Sequence, residues 1–274
     1  MYCFIDNEFV PLEDAKIPVN DLGLQRAYAI FDFLRITDRV PLFLNDHLDR
    51  FYRSAEIMRL QVPHDQPSLR RIITDLVERN DLAHAGVKIM LTGGASSDGY
   101  QPGEPRLIII QQPLPPPPSA IVLPGYKLVS YTHQRQMPEV KTTDYLMAIN
   151  LQPWMKENGG DDILYHKKGV ISECPRSNFF IVTQEDTLVT PAQNILKGIT
   201  RKQLLSIAPA IGITVEQRDL SLDEIRNAKE AFITSSTKRL IPVWQVDDII
   251  LPSFSPTGAT ARLFDAFKEW ERVS

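Results

Sequence analysis

The run PLPPPP from Pro113 to Pro118 divides this chain more firmly than any other feature. Proline lacks an amide proton and locks φ, so such a run forms extended polyproline and joins neither a helix nor a central strand. The domain boundary is placed there: residues 1–112 form a small N-terminal α/β domain, 113–120 a stiff linker, and 121–274 a larger domain. With 274 residues, 43% of them hydrophobic, the chain can fill both cores. Two α/β domains on a stiff linker imply a cleft between them, where ligands usually bind.

Residues 2–10 alternate about Asp6-Asn7, and 29–36 and 40–43 flank Asp38-Arg39; both stretches read as hairpins. Asn45 is expected to cap a helix with Leu48, Phe51, Tyr52, Ala55 and Met58 on one face, and a second helix spans about 68–79. Strands follow at 87–91 and 106–110, separated by TGGASSDGYQPGEP, a long loop of the kind that borders a site. Beyond the prolines, strands are predicted at 126–132, 162–166, 169–172, 179–182, 187–189, 214–217, 231–234 and 242–246. Helices are predicted at about 201–210, 222–227 and 259–271. No internal repeat is visible.

A formal charge of −4 makes no electrostatic case for nucleic acid or an anionic membrane as partner. The N-terminus has no basic or long apolar segment, and nowhere do about twenty apolar residues run together, so a cytoplasmic protein is expected. Cys3 and Cys174 lie far apart and suggest neither a disulfide framework nor a metal site.

Five places could carry chemistry. Lys141, in QMPEVKTTDYLMAINL, follows chain that Pro138 keeps extended and precedes a helix expected to open at Thr142 or Thr143. A lysine at such a junction can point into a cleft, although most lysines are solvated. In LKGITRKQLLSIA, Gly198 permits a tight turn and the amides of Ile199 and Thr200 open a helix, which makes either an anion site or an ordinary capped helix. The hydroxyls of Thr234, Ser235, Ser236 and Thr237 at a strand end can complete a phosphate cup or serve only as turn residues. Glu173, in the largely apolar GVISECPRSNFF, is either a solvated acid or the partner of a buried cation. Arg50, in HLDR, could reach a phosphate dianion or stay in solvent.

In this order, HLDR at 47–50, Lys141 with Asp144 three residues on, ISE...SNFF at 171–180, LKGITR at 196–201 and TSST...IPV at 234–243 resemble the fold type IV pyridoxal-phosphate enzymes. That class IV family holds D-amino acid transaminases, branched-chain aminotransferases and aminodeoxychorismate lyases, and the resemblance covers nearly the whole chain. It implies an α/β (α+β) two-domain fold with a mixed, β-barrel-like C-terminal domain bearing helices. It also implies a homodimer, with pyridoxal 5′-phosphate as cofactor. Lys141 would carry the cofactor as a Schiff base and move the proton at the substrate Cα. Glu173 would face the pyridine nitrogen, so that the ring serves as an electron sink. Arg50, Ile199, Thr200, Ser236 and Thr237 would hold the phosphate, and Leu196 would pack against the ring.

The departures bear on substrate. Phe31 stands where D-amino acid transaminases carry a tyrosine, and Gly93 where they carry the arginine that binds the substrate carboxylate. A carboxylate in a desolvated site still needs a cation. Arg26 and Arg176 read either as a substitute carboxylate clamp, with Arg26 able to come from a neighbouring subunit, or as a structural ion pair (Arg26) and a phosphate contact (Arg176). The expected reaction moves an amino group between a D-amino acid and a 2-oxo acid such as 2-oxoglutarate, favoured by the KTTD context of the lysine. Phe31 and Arg35 in FDFLR favour a branched-chain L-aminotransferase instead, and GGASSDGY at 93–100 an aminodeoxychorismate lyase. A binding protein without chemistry would need neither Lys141 nor Glu173. A dehydrogenase reading fares worse, because Gly93-Gly94 does not open a helix as a dinucleotide fingerprint must.

Overall fold

The computed structural model describes residues 1–272. The backbone packs as two units, Met1–Pro116 with Val140–Asp144, and Pro117–Glu139 with the chain from Tyr145 onward. A single cut at residues 113–120 therefore misses the return of Val140–Asp144 to the first unit. Backbone pairing holds that return: Thr142 bridges Ile30, the Phe31 amide donates to the Lys141 carbonyl at 2.9 Å, and the Thr143 amide donates to the Ala29 carbonyl at 3.1 Å.

In the first unit, β1 (Tyr2–Ile5) and β2 (Glu8–Pro11) close on Asp6 and Asn7, whose φ values of 51° and 67° make the two-residue turn that matches strand twist. The short α1 (Leu22–Arg26) is capped by Asp21, which accepts from the Gly23 amide at 2.7 Å. The same turn geometry recurs at Asp38 and Arg39 between β3 (Ala29–Thr37) and β4 (Val40–Pro41). Two amphipathic helices follow, α2 (Leu44–Ile57) and α3 (Gln66–Asn80). Asn45 does not cap α2; Phe43, in the left-handed region at φ 52°, turns the chain into the helix one residue before it. Next come β5 (His84–Thr92) and β6 (Arg106–Pro113), the latter ending on the first proline of the run.

These strands form one antiparallel sheet in the order β2-β1-β6-β5-β3-β4. Alternation sorts its faces. Ile30, Leu34, Ile36, Val87, Ile89 and Leu91 pack with Leu48, Phe51, Leu69 and Ile73 of the helices, each buried side chain contributing about 1.5–3 kcal/mol. Phe31, Phe33, Lys88 and Met90 fall on the opposite face, with Phe31 opposite Met90 and Phe33 opposite Lys88.

The second unit begins with β7 (Tyr126–Thr132) and the short helices α4 (Leu146–Asn150) and α5 (Gln152–Glu157). The helix expected from Thr142 or Thr143 starts only at Leu146, because the preceding residues run extended beside β3. Then come β8 (Asp162–Lys167), β9 (Val170–Ile171), β10 (Glu173–Cys174), β11 (Ser177–Val182), β12 (Leu188–Thr190), α6 (Ile199–Ala210), β13 (Val215–Gln217), β14 (Glu230–Ser235), β15 (Arg239–Val246), β16 (Ile249–Ile250) and α7 (Ala259–Glu271).

The strands form a mixed sheet, β13-β12-β11-β14-β15-β7-β8-β9, with β10 on β11 and β16 on β15. Phe179, Ile181 and Ile233 fill one core, while Phe180 and Phe232 stack at 4.9 Å. Glu230 of β14 caps α7 by accepting from the Ala259 and Thr260 amides. No helix among the described residues is long and apolar enough to cross a membrane.

Candidate active site

In the first unit, the backbone bridge to β3 brings the Lys141 Nζ to 4.6 Å from the centre of the Phe31 ring. An ammonium over an aromatic face gains about 0.5–2 kcal/mol, which holds the side chain in place without neutralising it. The next residue of β3, Asp32, points to the other face and is fully buried. His47 and Arg50, one turn apart on α2, converge on it. Arg50 Nε donates to Asp32 Oδ2 and Nη2 to Oδ1, each at 2.8 Å, and His47 Nδ1 donates to Oδ1 at 2.6 Å. Burial by itself would raise the Asp32 carboxyl, but the charges and hydrogen bonds of Arg50 and His47 hold it well below the usual carboxylate range. Burial lowers His47 against the pull of Asp32, leaving a neutral ring that donates to an ionised carboxylate. Arg50 is thus oriented by Asp32.

Arg26 is exposed at the end of α1, where its Nη1 donates to the Gln25 carbonyl at 3.0 Å. At Gly93 a Cβ would lie 2.5 Å from Cδ1 of Tyr28, so the ring of Tyr28 takes the space a side chain would need.

In the second unit, strand register aligns Glu173, Asn178 and Thr234 side by side across β10, β11 and β14. The buried Glu173 accepts from Arg135 Nε at 2.9 Å on one oxygen and from the Leu196 amide at 2.9 Å on the other. Arg135 also donates to the Pro138 carbonyl. Asn178 Nδ2 donates to the Leu196 carbonyl at 2.8 Å, so Leu196 is held from both sides of its backbone. At Gly198 a Cβ would come within 2.1 Å of Asn178 Oδ1, a closeness that only glycine permits.

Helix α6 begins right after Gly198, with Ile199 and Thr200 buried and no side chain among the described residues capping it. Ser236 and Thr237 are half-buried in the turn that joins β14 to β15, and the Ser235 and Thr237 hydroxyls lie 3.3 Å apart. Ser177 Oγ and Thr234 Oγ1 are buried without a hydrogen-bond partner among the described residues. Burial lowers the Arg201 guanidinium to about 10, against the pull of Glu173, and its Nη2 donates to the Pro191 carbonyl at 3.0 Å. Arg176 is exposed in the turn between β10 and β11.

Of the expected residues, Lys141 meets Phe31, and Glu173 meets Leu196, two residues before the turn that opens α6 at Ile199 and Thr200. Sequence reasoning passed over Asp32, Arg135 and Asn178. Asp32 was findable as a lone acid in the apolar run AIFDFLRI, at an inward position that demands a cation. Asn178 lies inside a motif already singled out. Nothing local marks Arg135, 38 residues from its partner.

Residues 29–246 match the family model described as amino-transferase class IV. The chain is 29% identical over 280 residues to a Methanocaldococcus jannaschii protein provisionally named a branched-chain-amino-acid aminotransferase, covering 98% of this chain and 96% of that one. It is 26% identical over 277 residues to a D-alanine aminotransferase of Listeria monocytogenes, again covering 98% and 96%. The solved branched-chain amino acid aminotransferase of Escherichia coli superposes with a TM-score of 0.89 at 25% identity, covering 98% of this chain and 94% of that one.

Proposed function

The chain belongs to the class IV aminotransferases, and from that premise we propose that it moves an amino group between a D-amino acid and a 2-oxo acid such as 2-oxoglutarate. The family works with pyridoxal 5′-phosphate, which supplies a carbonyl carbon for the amino group and a ring that takes up electrons from the substrate Cα. The observation that carries the reading is the Lys141 Nζ held over Phe31 at 4.6 Å, positioned by the backbone bridge to β3.

The side chains of each unit fit the cofactor. Lys141 would serve as its attachment point and would take the proton from the substrate Cα. Glu173, fixed on both oxygens, suits a protonated ring nitrogen. The bare first turn of α6 at Ile199 and Thr200 suits a phosphate, as do the Ser236 and Thr237 hydroxyls and the Arg50 guanidinium. Unpartnered hydroxyls of Ser177 and Thr234 favour a polar ligand nearby. Leu196, clamped through its backbone, would pack against the ring. Arg26 and Arg176 are assigned to the substrate carboxylate, and the assembly to a homodimer.

The D-hand rests on the KTTD context of Lys141 and on the D-alanine aminotransferases among the relatives. A second reading, a branched-chain L-aminotransferase, is favoured by Phe31 and Arg35 in FDFLR and by the archaeal relative. Purified protein loaded with pyridoxal phosphate, given 2-oxoglutarate and D-alanine, D-glutamate or L-leucine, separates the two. Turnover of the D-donors is expected, and turnover of L-leucine alone transfers the assignment to the second reading.

A further inference from the structure

Lys88 presents a cation to the same ring as Lys141. Strand alternation puts it on the face of β5 that carries Met90, between Phe33 of β3 and Ile110 of β6, its apolar cross-strand neighbours. Its Nζ lies 5.5 Å from the centre of the Phe31 ring, against 4.6 Å for Lys141 Nζ, so the two nitrogens are at most about 10 Å apart. The Lys88 side chain is half-buried and, among the described residues, its Nζ makes no hydrogen bond or ion pair. A partly desolvated ammonium with apolar neighbours and no anion gains most from one that arrives with a ligand. Every amino-acid or 2-oxo-acid substrate brings a carboxylate, and Tyr28 leaves no space at Gly93 for another cation.

We propose that Lys88 binds a carboxylate of the substrate. The proposal rests on the reading of Lys141 as the cofactor attachment point, since it is the shared Phe31 ring that places Lys88 beside the reacting carbon. The carboxylate is either the one on the reacting carbon or the distal one of a dicarboxylic substrate, and both bring the same chemistry.

Two reagents test it on the holoenzyme. Aminooxyacetate and O-methylhydroxylamine carry the same nucleophile, and each releases Lys141 by forming an oxime with the cofactor carbon; only the first has a carboxylate. In Lys88→Met the visible band of the bound cofactor is retained and the rate with O-methylhydroxylamine holds, while the rate with aminooxyacetate falls about tenfold or more where Lys88 binds the carboxylate on the reacting carbon. Lys88→Arg restores the aminooxyacetate rate.

A rise in KM for both pyruvate and 2-oxoglutarate assigns Lys88 to the carboxylate on the reacting carbon. A rise for 2-oxoglutarate alone, with the aminooxyacetate rate kept, assigns it to the distal one. Unchanged KM values and unchanged rates overturn the proposal, as does an equal fall with both reagents or a change confined to oligomeric state. A wild type without the visible band removes the Lys141 reading instead, and the proposal with it.

Discussion

Asp32 holds Arg50 by both arms of its guanidinium, Nε on one carboxylate oxygen and Nη2 on the other, while accepting from His47 on the same buried side. Removing the carboxylate strands a buried cation and a buried ring donor. Asp32→Ala is expected to cost about 3–5 kcal/mol, read from the urea midpoint of the apoprotein. In the more conservative Asp32→Asn, Arg50 loses its orientation, and the dissociation constant for pyridoxal phosphate rises while that for unphosphorylated pyridoxal holds.

The same trio sets an acid sensitivity. His47 is lowered from 6.5 by burial, so as pH falls below that value the unfolded chain takes up a proton that the folded chain resists, and stability declines. Asp32 is lowered below its ordinary 3.8, so its contribution is full above that value and is lost as pH falls through the folded value. Both act in one direction. The denaturation midpoint of the wild type should fall on acidification from neutrality, and His47→Gln should flatten the upper part of that slope.

Gly198 and Asn178 are coupled by contact. Gly198→Ala places a methyl on Asn178 Oδ1 and should cost about 1–3 kcal/mol while weakening pyridoxal-phosphate binding. In the Asn178→Ala background much of that cost should disappear. A double-mutant cycle on stability and cofactor affinity measures the coupling.

Glu173 is fixed by Arg135 and the Leu196 amide rather than left to solvent. Glu173→Gln keeps the size of the side chain but removes its charge. It should retain cofactor yet lower kcat by about a hundredfold or more. Arg135→Ala should lower kcat by less, through loss of the carboxylate's orientation, as steady-state kinetics at saturating cofactor will read.

Much of this architecture is legible in the sequence because local chemistry decides it. Asp6-Asn7 and Asp38-Arg39 tolerate left-handed backbone, and the alternation around them specifies hairpins. The helices α2 and α3 were placed by their apolar stripes to within a few residues. What escaped is decided by distant pairing. Thr142 and Thr143 have the chemistry of a helix cap, yet they lie extended because β3 offers backbone partners at Ile30 and Ala29. Asn45 has cap chemistry too, but Phe43 turns the chain before it. Arg50 and Glu173 were singled out by type and motif, whereas the groups that aim them, Asp32 and Arg135, lie on other elements.

Reduction of the pyridoxal-phosphate holoenzyme with borohydride, followed by peptide mapping, tests the central claim most directly, because it fixes the cofactor to the nitrogen that carries it. The account predicts the label on Lys141 and no visible band in Lys141→Ala. A label on Lys88, which shares the Phe31 ring, or no label on the wild-type protein, would contradict it.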